Sequence, residues 1–64
     1  AAALENEPLV TYHLGMTYAA LGRTEDARAT LTRSVEQAER IGHAAAMDAK
    51  AKAEKALSGL ETGQ

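Results

Sequence analysis

Apolar residues recur every three or four positions from Val10 through Leu14 and Tyr18 to Leu21, which is the spacing of one face of an α-helix. Pro8 stands just ahead of them, where a first-turn proline gives up no hydrogen bond, so the pattern predicts a helix over residues 9–21. Gly22 follows at the place for a left-handed cap. Thr24 can then serve as the next N-cap, with Glu25 and Asp26 in the dipole-favoured first turn. A connection of about three residues forces the second helix to fold back antiparallel on the first.

The second helix carries Ala27, Leu31, Val35, Ala38 and Ile41 on one stripe, with Arg28, Arg33, Glu36 and Arg40 largely outside it. Beyond Gly42 the run "HAAAMDAKAKAEKALSGL" is rich in helix formers. It places Ala46, Ala49, Ala53, Ala56, Leu57 and Leu60 on a narrow stripe and leaves Asp48, Lys50, Lys52 and Lys55 solvated. Gly59 is expected to cap this third helix and residues 61–64 to fray. Gly42 admits two readings: a break between helices, or a bend in one long helix that would make domain swapping easy. No segment has a strand pattern, so the fold class is all-α.

The first helix has more apolar surface than one contact needs. Leu9, Tyr12, Met16, Ala19 and Ala20 lie on or near a second face, and a helix apolar on two sides is usually sandwiched or lines a groove. Gly15 sits in the middle of that helix, where glycine costs about 1 kcal/mol relative to alanine. Its expected role is close approach of the second helix, with Leu14 and Tyr18 facing that partner and Tyr12 and Met16 facing outward.

Composition adds a demand for further buried surface. Apolar residues are 45% of the 64, but alanine dominates them, with two tyrosines, no phenylalanine and no tryptophan. Each buried alanine removes little area from water, and there is no cysteine to supply a disulfide. A second copy or neighbouring sequence is the simplest source of the missing surface. Seven basic and nine acidic side chains are interspersed to a formal charge of -2, which argues against nucleic acid and anionic membranes as partners. No apolar run is long enough to span a bilayer, so no membrane insertion is expected. The chain opens "AAALENEP" without a methionine and is read as a stretch of a longer protein, which leaves its compartment unreadable.

The segment "YHLGMTYAALGRTEDARATLTRSVEQA" resembles a tetratricopeptide repeat: Leu14 and Gly15, then Tyr18, Leu21, Gly22, Ala27 and Leu31 keep that family's order and spacing. The resemblance runs from Pro8 to Ala38. Thr11 stands where tryptophan is frequent, Ser34 where a second alanine is usual, and Glu39 near the place of the closing proline. The missing proline suits a second helix that runs on to a cap. The resemblance implies a terminal repeat over residues 8–41 and a capping or swapped helix over 42–60, with 1–7 as the tail of a preceding repeat. The wording is also similar to repeats in bacterial proteins linked to exopolysaccharide and exosortase systems.

What the resemblance implies about function is a protein-interaction scaffold whose first helices line a groove for a peptide or partner helix. The groove positions fall on Leu9, Tyr12, His13, Met16, Ala19 and Ala20. Some family members grip a terminal carboxylate with lysine and asparagine at such places, where this chain has Tyr12 and Met16, so an apolar or aromatic ligand is expected instead. Such repeats do not bury their own faces singly, which also implies a homo-oligomer, with or without helix exchange. The competing reading is a small helical domain that serves self-assembly alone.

Catalysis finds no support. His13 has no acidic or cysteine neighbour at helical spacing, and Thr30, Thr32 and Ser34 lack a histidine to activate them. Glu39 and His43 form an i,i+4 pair, but a third metal ligand is missing and Gly42 intervenes. No catalytic residue, metal site or cofactor is assigned.

Overall fold

The computed structural model describes residues 7–62 and is built of three helices: α1 Pro8–Ala20, α2 Thr24–Ile41 and α3 Ala44–Thr62. No strand occurs among the described residues. Residues 1–6 of the segment 1–7 expected as a preceding repeat's tail, and residues 63–64 of the expected frayed end, lie outside them.

Contacts between α1 and α2 run in opposite order along the two helices. Pro8, at the start of α1, is tied to Ser34, and Gly15 lies against Leu31, so the pair is antiparallel as the three-residue connection requires. That connection is a Schellman motif. Gly22 takes a φ of 81°, its N–H donates to the Ala19 carbonyl at 3.1 Å, and the Arg23 N–H donates to the Tyr18 carbonyl at 2.9 Å. The apolar contact that often joins the residues at this turn is replaced by the Arg23 guanidinium over the Tyr18 ring, 5.2 Å from its centroid.

The same turn shifts the expected cap. Arg23, not Thr24, is the N-cap of α2, because its carbonyl already accepts from the Ala27 N–H at 2.9 Å; Thr24 becomes the first helical residue. No side chain caps this end. Glu25 and Asp26 do occupy the first turn, and Asp26 pairs with Arg23 at 2.7 Å.

Gly42 breaks the chain instead of bending it. Its φ is 75°, its N–H closes on the Ala38 carbonyl at 2.9 Å, and α3 starts two residues later. Gly59, by contrast, does not cap α3, which continues through it to Thr62. Nothing near Gly59 calls for a positive φ or a close approach, so the helix simply runs on.

The core is thin and made mostly of small residues. Ala27, Leu31 and Ala38 of α2 and Ala46, Ala49 and Ala53 of α3 are its buried apolar residues, and Leu31 and Ser34 are the largest fully enclosed side chains among the described residues. Val35 is half-buried and Ile41 is exposed at the edge of its stripe; Ala56, Leu57 and Leu60 are half-buried toward the end of α3. Alanine stripes let α2 and α3 approach closely but contribute little hydrophobic stabilisation per residue. The Lys50 ammonium reaches from α3 to the Glu39 carboxylate of α2 at 3.2 Å. Lys50 is therefore not the solvated side chain that the charge pattern suggests.

The first helix departs most from its pattern. The stripe expected to face α2, Val10, Leu14, Tyr18 and Leu21, is not the buried one. Pro8, Thr11 and Gly15 are buried instead. A helix advances about 100° per residue, so Gly15 and Leu14 cannot share the line of closest approach. The residue without a side chain takes it, because that position brings the two backbones nearest. Thr11 and Ser34, two of the three departures from the repeat pattern, both lie buried at this contact. Thr11 is 7% exposed with its hydroxyl on the Glu7 carbonyl at 3.2 Å, and the buried Ser34 hydroxyl donates to the Pro8 carbonyl at 2.8 Å.

Candidate functional site

Because α1 turns its small residues toward α2, its large apolar side chains are left on both flanks. Leu9 and Met16 lie on one flank; Val10, Leu14 and Leu21 lie on the other, and these five are between 39% and 66% exposed. Buried groups on one narrow line with exposed apolar groups on both flanks fit a helix covered on more than one side.

On the second flank the three-dimensional arrangement is concave. Val10, Leu14 and Tyr18, spaced one turn apart, form one wall of an open groove of about 320 Å³. Ala29, Thr30, Arg33 and Gln37 of α2 form the other, with Thr11 at the base. The wall is apolar on the α1 side and mixed on the α2 side, where Arg33 is exposed. Sequence periodicity assigned these α1 residues to the helix pair. They do lie beside α2, but they line the cleft between the helices and are not enclosed by it.

The positions expected to line a groove occupy the opposite flank. Leu9, Met16 and Ala20 are exposed, and Tyr12 and Ala19 are half-buried. The exposed His13 ring meets the Tyr12 ring edge-on, 5.4 Å between centroids at 70°. Leu9 also borders a second depression with Glu7, Pro8, Ile41, His43, Ala45 and Ala46, where the start of α1 meets the turn between α2 and α3. The expected set is thus brought to one side of α1, and only Leu9 of it lines a described concavity. The groove on the other flank was missed. Its signal was present in the sequence, since a glycine in the helix interior fixes which line faces the partner and so displaces Leu14 and Tyr18 from it.

The packing residues taken from the repeat resemblance divide by position. Gly15 and Leu31 meet in the buried contact, Ala27 is fully buried on α2, and Gly22 shapes the turn. Leu14, Tyr18 and Leu21 are on the open flank. Elsewhere the chemistry is sparse. Glu39 is engaged by Lys50, away from a pairing with His43, and no three histidine or acidic side chains converge among the described residues. No helix among the described residues is long and apolar enough to cross a membrane.

No protein-family model, curated protein or solved structure matches the chain. The fold itself defines an all-α protein of three successive antiparallel helices. Its distinguishing surface is a first helix that is apolar on both flanks.

Proposed function

We propose that this chain is a tetratricopeptide-like interaction module, a terminal repeat with its capping helix, which binds a peptide or partner helix through α1 and performs no catalysis. The observation that carries this reading is the double exposure of α1: Leu9 and Met16 on one flank, Val10, Leu14 and Leu21 on the other. The Gly15–Leu31 contact, the small Ala27 and the left-handed Gly22 add support, because each fills the structural role its motif position implies. Ligand binding falls to the flank of Leu9, Tyr12 and Met16, and the groove of Val10, Leu14 and Tyr18 takes a packing neighbour. Panning the chain against displayed peptides tests this. Ligands whose binding is lost with Met16→Glu support it; ligands indifferent to Met16→Glu, or none at all, sink it.

The alanine core favours a second reading. With Leu31 as the only large aliphatic side chain fully enclosed among the described residues, the chain gains little from its own burial, and self-assembly would add what is missing. Sedimentation over a range of concentrations separates the two: a monomer at all of them rules out the assembly domain.

A further inference from the structure

We draw no further inference here: the strongest candidate, the open groove between α1 and α2 walled by Val10, Leu14 and Tyr18, is an unpartnered apolar face, and nothing in the structure shows what covers it.

Discussion

The space that a side chain at Gly15 would need is already held by Leu31. A methyl carbon at position 15 would stand 2.7 Å from both Cγ and Cδ2 of that leucine, so the fully buried Leu31 would have to shift. Two effects oppose each other in Gly15→Ala. Helix propensity favours alanine by about 1 kcal/mol, while overpacking a closed contact costs about 1–3 kcal/mol. We expect the clash to win, with a net loss of about 1 kcal/mol, read as a lower urea midpoint at unchanged slope. A raised midpoint would mean that the helices do not meet at Gly15. In the Gly15→Ala background, Leu31→Ala should cost less than the about 2–5 kcal/mol typical of such truncations, because the new methyl fills part of the cavity.

The other three described glycines should respond to alanine with different signs. Gly22 and Gly42 have φ values of 81° and 75°, and each has open space around it, so backbone strain alone sets the cost. Each substitution should lose about 1 kcal/mol, lowering the melting midpoint by about 4–8 °C in a chain of this size. Gly59 lies inside α3 with nothing nearby, and alanine there should gain about 0.5–1 kcal/mol. Thermal melts of the three variants check the pattern; a Gly59→Ala protein that melts lower would contradict a helix continuous to Thr62.

Ser34→Ala removes the hydroxyl that reaches the Pro8 carbonyl and leaves an otherwise tolerated small side chain. The expected loss is about 1 kcal/mol, typical of a single buried neutral hydrogen bond. Its location is more telling than its size. Amide exchange in the first turns of α1, at Thr11 and Tyr12, should quicken while α3 keeps its protection. Uniform quickening across all three helices would argue that Ser34 does not pin the start of α1 in particular.

Helix existence, the antiparallel turn at Gly22 and most of the inward stripe of α2 were legible because periodicity and glycine placement agree there, whereas Gly42 left a break and a bend both open. The orientation of α1 was not, since apolar residues surround its axis and periodicity alone cannot choose among several stripes of equal character. Gly15 was the tie-breaker, and reading it as a partner of Leu14 and Tyr18 put those two on the wrong line. Gly59 misled for a related reason: a glycine near the end of a helical run looks like a cap, but local sequence holds no record of whether the chain must turn there. The Glu39–Lys50 tie depends on the register between α2 and α3, which no spacing within either helix reveals.

That tie should be measurable but small. Both side chains are partly open to water, 24% exposed for Lys50 and 55% for Glu39. A double-mutant cycle with Glu39→Gln and Lys50→Met should give a coupling of about 0.2–1 kcal/mol, largely lost in 1 M salt, where screening acts within about 3 Å. A coupling that persists undiminished in high salt would point to packing by the lysine stem as its source.

The two flanks of α1 can be told apart by placing a charge on each. Leu14→Glu and Met16→Glu exchange strong helix formers for another, and both positions are already 39% or more exposed. In the isolated monomer each change should therefore shift stability by no more than about 0.5 kcal/mol. A bound partner alters this, since it would bury the new carboxylate without a counter-charge. Met16→Glu should weaken a peptide selected on the chain by at least about tenfold, equivalent to about 1.4 kcal/mol. Leu14→Glu should leave that affinity unchanged. If the groove is instead the self-assembly surface, Leu14→Glu yields a monomer at concentrations where the parent chain associates, and Met16→Glu does not. Equal sensitivity of peptide binding to both substitutions would overturn the division of α1 into a ligand flank and a packing flank.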